Sequence, residues 1–279
     1  MKNFKDKVAV ITGAGSGIGR ALALELGAAG AKLALSDINE AGLKETADQL
    51  GLAEDRLMTR KLDVADRQAF YDFADDVVNH FGYANMIFNN AGVALGATVE
   101  DMNYDDFEWL MNINFWGVVY GTKAFLPYLK QAGEGHIINI SSIFGLVGIP
   151  TQSAYNAAKF AVRGFTESLR IELEMENSPV SCTSVHPGGI KTNIAKAARF
   201  DSSVERITGG DKEQSIQDFE KLFRTTPAEA ASTILKGVRG NKRRVLIGSD
   251  AVAVDTMQRL LPTSYQKLIA MGQKYMSKK

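Results

Sequence analysis

Two periods of hydrophobic residues alternate along the chain. Short β-branched or aliphatic runs recur, and the stretches between them return apolar residues every three or four positions, which predicts parallel βαβ units. The first run, "KVAVITG" at 7–13, leads into "IGRALALELGAAG", where Leu22 and Leu26 with Ala21, Ala23 and Ala28 suit a packed helix closed by Gly30. "KLALSD" reads as a strand, residues 40–50 as a helix and "RLMTRKLDV" as a strand. A helix from about Asp66 to Phe81 leads to the strand "NMIFNNAG", and a long helix from about Tyr104 to Lys130 leads to "GHIINISS". "AYNAAKFAVRGFTESLRIELEM" reads as one helix with Ala157, Ala161, Phe165, Leu169 and Leu173 on one stripe, and "PVSCTSVHPGG" as the sixth strand.

From about Lys191 to Thr226 the pattern loosens, with Gly209, Gly210, several charges and isolated apolar residues. A stretch of this kind inside a compact domain is a functional lid or a disordered excursion, and a flexible substrate lid over about 191–226 is the expectation. Helical "PAEAASTILKGV", a seventh strand "RRVLIGS" and an amphipathic helical tail over about 251–279 close the chain. No repeat or linker divides it, so residues 1–279 are expected to form a single domain. The expected fold class is α/β: a doubly wound parallel sheet of about seven strands with helices on both faces. Ligands in such sheets bind beyond the carboxyl ends of the strands.

Composition narrows the function classes. The 279 residues are 45% hydrophobic and 23% charged, and Lys plus Arg equals Asp plus Glu at 32 each. Such a chain has no global field to draw it to nucleic acid or an acidic membrane, which leaves small molecules as the expected partners. The single cysteine, Cys182 in "VSCTSV", excludes an internal disulfide and reads as an inert core residue. The apolar run in "MKNFKDKVAVITGAG" is too short for a signal peptide, and no apolar stretch approaches the ~18 residues of a membrane span. The expectation is a cytoplasmic protein with no stable membrane insertion.

"TGAGSGIG" at 12–19 lies between the first strand and the first helix. Its glycines do not satisfy G-x-G-x-x-G; the spacing is T-G-x-x-x-G-x-G, with Gly13, Gly17 and Gly19. The physics is shared, because glycines allow a tight turn and close approach of backbone to a pyrophosphate, and the helix N-terminus that follows offers free N–H groups. Thr12 is placed to hold the turn. Asp37 ends the second strand, twenty residues after Gly17, where an acid accepts hydrogen bonds from ribose hydroxyls and repels a 2′-phosphate. With Ser16 and Ile38 where a compensating base would sit, NAD(H) is favoured over NADP(H).

Further stretches join these in order: "LDV" at 62–64, "NNAG" at 89–92, "NIN" at 112–114, "SS" at 141–142, "YNAAK" at 155–159 and "HPGGIKT" at 186–192. The ordered set resembles the short-chain dehydrogenase/reductase family, in its compact single-domain branch with a Rossmann-type fold, strongly over about residues 7–192. The resemblance implies Tyr155 as general acid/base in hydride transfer, Lys159 as phenolate stabiliser and nicotinamide-ribose ligand, Ser142 on the substrate oxygen, and Asn114 placing a water behind the lysine. A free phenol has a pKa near ~10, so a neighbouring cation is needed to favour its ionised form. Ser141 is second choice to Ser142, and Asn112 reads as structural. The resemblance also implies cofactor contacts from Thr12, Gly13, Gly17, Ile18, Gly19, Asp63, Val64, Asn90, Gly92, Pro187, Gly188, Ile190 and Thr192. His186 reads as a strand-end residue, and no second ligand at metal spacing accompanies it.

On the substrate side, Val93, Leu95, Phe144, Leu146, Val147 and Ile149 follow strand ends and suit an apolar carbonyl or secondary alcohol. Val93, Phe144 and Leu146 are the substrate contacts expected beside Ser142. The end of the chain departs from the common Gly-Gly terminus of the family and puts its usual tetramer in doubt, so a homodimer is the expected assembly, with a tetramer as the alternative. Two other functions are consistent with the residues: an NADPH-dependent carbonyl or 3-oxoacyl thioester reductase, and a non-catalytic regulatory protein that senses a nicotinamide cofactor.

Overall fold

In the computed structural model, which describes residues 1–209, 214 and 223–276, the βαβ alternation is present from the first strand onward. The chain runs β1 (Val8–Thr12), α1 (Gly17–Ala28), β2 (Lys32–Asp37), α2 (Glu40–Leu50), β3 (Leu57–Lys61), α3 (Arg67–Phe81) and β4 (Met86–Asn89). It continues through β5 (Leu95–Gly96), α4 (Tyr104–Met111), α5 (Gly117–Gln131), β6 (Gly135–Ile140), α6 (Ser153–Met175) and β7 (Val180–Pro187). Then follow β8 (Arg199–Phe200), α7 (Ser203–Thr208), α8 (Pro227–Arg239), β9 (Arg244–Ile247), α9 (Ser249–Leu260) and α10 (Tyr265–Met276).

Seven strands pair in parallel in the order β3-β2-β1-β4-β6-β7-β9. Successive residues of β1 enter opposite faces of the sheet. Ala9 and Ile11 pack with Leu22 and Leu26 of α1 and Ile234 of α8, whereas Val8 and Val10 pack with Phe73 of α3 and Phe125 of α5. Burial on both faces is the reason these strands read as continuous apolar runs. After β1 the chain builds outward to β3 and then returns to the other side of β1 with β4, which opens a crevice at the carboxyl ends of β1 and β4.

Local chemistry sets several boundaries. Asn39 and Asp66 cap α2 and α3 by accepting from Gly42 N and Ala69 N, and Gly51 and Gly82 end those helices in the left-handed conformation. Thr226 and Glu229 form a reciprocal capping box at α8, with Pro227 in its first turn.

Three expectations change in detail. The helix expected over 104–130 is interrupted by a π-helical turn at Asn112–Trp116, where the Gly117 N–H bonds back to the Asn112 carbonyl. On α6 the buried stripe is Ala154, Ala158, Val162, Leu169 and Leu173, while Ala157 is exposed and Phe165 packs edge-on against Phe115. Leu169 and Leu173 are buried as expected, and the first half of the stripe shifts by one position, from Ala157 and Ala161 to Ala158 and Val162. The expected lid contains two elements, β8 and α7, and β8 pairs in parallel with β5; its positions 210–213 and 215–222 lie outside the described residues.

Candidate active site

The glycine turn is built by backbone geometry. Gly13 and Gly17 have φ of +66° and +53°, where side chains are strained, and a Cβ at Gly19 would lie 2.1 Å from the Gly13 carbonyl oxygen. Ser16, at the N-cap of α1, makes no side-chain bond to the first turn. The leading N–H groups of Gly17, Ile18 and Gly19 therefore remain as a positive cradle. Thr12 holds the turn against the neighbouring strand end: its Oγ accepts from the N–H groups of Asn90 (3.0 Å) and Ala91 (3.1 Å) and donates to the Phe88 carbonyl (3.3 Å). Asn90 answers by donating its Nδ2 to the carbonyls of Thr12 (2.9 Å) and Gly13 (3.2 Å).

Asp37 is half-buried and accepts from Gly15 N at 2.8 Å and Asn39 N at 2.9 Å. Two hydrogen bonds leave its carboxylate with lone pairs free for further donors. A basic residue does lie near this corner, although Ser16 and Ile38 are not basic. Arg20 donates to the Gly15 carbonyl, but its charge is taken up by Glu45 at 2.8 Å. Asp63 is exposed and accepts from Ala65 N, while Val64 is buried against Gly117. Turn, helix terminus and acid together fit a dinucleotide, because each supplies the polarity that the corresponding part of the ligand lacks.

Four side chains from three stretches meet beyond β4 and β6. Asn114 sits wholly buried in the π turn, where its side chain accepts from Val93 N and donates to the Val93 carbonyl, both at 2.8 Å. Such a turn is a common device for re-aiming one residue of a helix. Gly92 lies between two of the four: a Cβ there would stand 3.1 Å from Asn114 Oδ1 and 3.6 Å from Lys159 Nζ. Ser142 opens the turn after β6; its Oγ accepts from Phe144 N at 3.1 Å and faces the Tyr155 hydroxyl. Ser141 points elsewhere and donates to the Lys159 carbonyl at 2.8 Å.

Tyr155 and Lys159 lie one turn apart on α6, with the ammonium 5.4 Å from the phenol ring centre. Burial pushes the Tyr155 phenol up to about 12, and the polar Ser142 hydroxyl facing it works in the opposite direction. Burial also brings the Lys159 ammonium down to about 8, with Nζ donating to the Ile140 carbonyl at 3.0 Å. The expectation that Lys159 makes Tyr155 acidic is thus outweighed in the protein alone, because desolvation disfavours both charged forms. Near neutrality the phenol holds its proton and the lysine its charge.

After β7, Pro187 to Thr192 run back toward the glycine turn. A Cβ on Gly17 would meet the Thr192 methyl at 3.1 Å, and the Ile190 side chain is buried in the sheet-side core. The backbone here is held by Asp250, whose carboxylate accepts from Gly189 N at 2.7 Å and would stand 2.1 Å from a Cβ at Gly188. Sequence reasoning missed Asp250; its position in the first turn of α9, two residues after the strand end "RRVLIG", is the signal that could have found it. Cys182 is buried with its thiol pushed up to about 12 by desolvation.

The substrate side is mixed. Phe144 stands edge-on to Tyr155 with ring centres 5.8 Å apart, whereas Leu95, Leu146 and Val147 are as buried as core residues. Asn156, a second residue the sequence did not single out, secures the whole turn. It donates to the carbonyls of Phe144 (2.7 Å) and Val147 (2.8 Å) and accepts from Ile149 N (3.0 Å). The tail reaches the same turn through Tyr265, a buried residue whose hydroxyl accepts from Gly148 N at 3.2 Å. Among the described residues no three His, Cys, Asp or Glu side chains are grouped to hold a metal ion, and no helix is long and apolar enough to cross a membrane.

Comparison with known proteins places this geometry. Residues 7–202 match the family model for short chain dehydrogenases. The chain is 48% identical over 274 residues to the SadH protein of Mycobacterium tuberculosis, covering 98% of this chain and 97% of that one. It is 35% identical over 250 residues to the C alpha-dehydrogenase of a Sphingobium species, covering 86% and 80%. Among solved structures, a Burkholderia phymatum short-chain dehydrogenase/reductase in complex with NAD superposes with a TM-score of 0.84 at 28% identity, over 93% of this chain and 95% of that one.

Proposed function

The chain belongs to the short-chain dehydrogenase/reductase family, and from that premise we propose that it moves a hydride between NAD(H) and a mostly apolar secondary alcohol or ketone, with Tyr155 as general acid/base. It is an oxidoreductase that acts on a small molecule with a nicotinamide cofactor, as the family does. The observation that carries the finer reading is the buried Lys159 ammonium 5.4 Å from the Tyr155 ring, with Ser142 facing the phenol.

The cofactor, when bound, supplies the hydride donor or acceptor. The chain's own residues handle the rest. A neutral Tyr155 phenol gives its proton to the carbonyl oxygen during reduction, and Ser142 donates to the same oxygen as negative charge develops there. Lys159 stabilises the phenolate that remains and holds the nicotinamide ribose. Asn114, with both polar atoms committed to the Val93 backbone, fixes the turn beside Gly92 and the lysine, where it positions a water for proton return.

Gly13, Gly17, Ile18 and Gly19 hold the pyrophosphate, Thr12 holds the turn that presents them, and Asp37 holds the adenosine ribose. Asp63, Val64, Asn90 and Gly92 flank the adenine and the crevice, while Pro187, Gly188, Ile190 and Thr192 cover the nicotinamide. Asp37 supports NAD(H), since a 2′-phosphate beside it would meet like charge while Arg20 is already neutralised by Glu45. Val93, Phe144 and Leu146 are the substrate-facing residues, and residues 191–226 the lid. The exposed Trp116, Ile171 and Met175 around α5 and α6 are consistent with a homodimer.

A panel of apolar ketones including 2-octanone, assayed at ~340 nm with NADH and with NADPH, tests the reading through the one step it requires. Turnover with a clear NADH preference is expected. No turnover with either cofactor removes the enzymatic reading, and an NADPH preference removes the argument from Asp37.

A further inference from the structure

His186, which reads in the sequence as a plain strand end, occupies an unusual place. The β6–β7 ladder pairs Ile140 with Val185 and closes with Ser141 N donating to the Val185 carbonyl at 2.8 Å. Ser142, two residues beyond β6, is therefore the first residue that the ladder no longer holds. At that point the imidazole of His186 reaches across, with Nδ1 2.9 Å from the Ser142 carbonyl oxygen and Nε2 2.9 Å from Ser184 Oγ. A carbonyl only accepts, so Nδ1 carries the hydrogen; the neutral ring then accepts at Nε2 from the Ser184 hydroxyl.

The ring is fully buried, and burial brings its pKa down to about 4, so it is neutral at physiological pH with one fixed tautomer. The Ser142 carbonyl also accepts from Gly145 N at 3.0 Å, which closes the turn, while its Oγ meets Phe144 N and Tyr155. One residue is thus anchored through its carbonyl and presents its hydroxyl to the candidate acid/base. The anchoring ring belongs to the strand that continues directly into Pro187 and Gly188.

We propose that His186 is a positioning residue, holding the Ser142 backbone so that the Ser142 hydroxyl stays aligned on Tyr155 and the substrate oxygen. A histidine is a costly way to fill buried space, since an apolar side chain of similar volume packs there without polar groups to satisfy. Its function is to supply one donor, at Nδ1, to a carbonyl that has run past the end of the sheet. The proposal rests on Ser142 acting in hydride transfer.

The test compares His186→Leu, His186→Asn, Ser184→Ala and Ser142→Ala in the reduction of 2-octanone by NADH, together with NADH dissociation constants and thermal midpoints. His186→Leu is expected to lower kcat by about 10- to 100-fold with the NADH dissociation constant changed less than about twofold, as for small misplacements of a reacting group. His186→Asn, whose amide keeps a donor near Nδ1, is expected to return kcat to within about threefold of the parent, a rescue that a space-filling role would not produce. Equal loss in the leucine and asparagine variants, or a leucine variant as active as the parent, overturns the proposal. If the leucine variant does not fold, Ser184→Ala decides, because it leaves the ring in place without its Nε2 partner. A fall of a few fold in kcat is expected there, and an unchanged kcat overturns the proposal. Ser142→Ala separates the two levels: an inactive Ser142→Ala beside an unaffected His186→Leu rejects only the role of His186. A fully active Ser142→Ala, or a parent protein that does not reduce the ketone, rejects the reading beneath it and the proposal together.

Discussion

The cofactor side and the substrate side of this crevice are held by different kinds of interaction. Around the glycine turn, residues distant in sequence are joined by hydrogen bonds between side chains and backbone, in buried or half-buried positions, as Thr12 and Asn90 are across β1 and β4. The described residues of the proposed lid bury Ala195 and Val204 but are otherwise attached in good part by contacts at the periphery. A two-residue strand pair joins β5 to β8, Arg199 stacks on Trp109 and pairs with Asp106, and Arg206 pairs with Asp101. Exposed ion pairs of this sort contribute ~0–1 kcal/mol each, whereas breaking a buried hydrogen bond leaves an orphaned group at about 1–3 kcal/mol. On the proposed function, the difference separates a half that reproduces one geometry for every turnover from a half that opens to admit substrate.

The contrast can be broken most severely at Tyr155. Tyr155→Phe is expected to lower kcat by about 10²–10⁴-fold while NADH binding, followed by fluorescence titration, is retained. An active phenylalanine variant would remove Tyr155 from the chemistry. Next in size, Asp37→Ala takes an acceptor from Gly15 N and from the ribose, and should raise the NADH dissociation constant by roughly tenfold while that for NADPH improves. Unchanged selectivity between the two cofactors would place the discrimination elsewhere.

A comparable effect should appear without mutation. Lys159 is the group with the lowered pKa, so its charge is complete below about 8 and lost as pH rises through that value. Ketone reduction should therefore fall by roughly tenfold per pH unit once that titration is passed. A flat profile to pH 10 would show that the lysine charge is not required.

The smallest effect is expected on the lid. Arg199→Ala should cost about 1 kcal/mol or less of stability and change KM more than kcat, because it loosens an exposed contact away from the proton chemistry. A kcat loss as large as that of Tyr155→Phe would erase the distinction between the two halves.

Much of this arrangement was legible before folding was considered. The strands, α2 over Glu40–Leu50 and the parallel sheet follow from hydrophobic period, and Gly13, Gly17 and Gly19 follow from spacing, because these are properties of neighbouring residues. Tyr155 and Lys159 were visible for the same reason: a helical turn brings them together whatever the rest of the chain does. The stripe on α6 was misplaced because periodicity reports that a face is buried, not which of two adjacent faces meets the sheet.

What needed three dimensions is everything that joins positions far apart in the chain. His186 meets the Ser142 carbonyl across 44 residues, Asp250 meets Gly189 across 61, and Tyr265 meets Gly148 across 117. No periodicity encodes such pairs, since they depend on where each strand ends within the assembled sheet. The same holds for the balance at the candidate centre. The residue types foretold a tyrosine with a helpful cation beside it, but burial, which only the packed structure determines, raises the Tyr155 phenol and lowers the Lys159 ammonium together. Chain-local chemistry thus supplied the participants, and desolvation and tertiary hydrogen bonds decided their charge states and alignment.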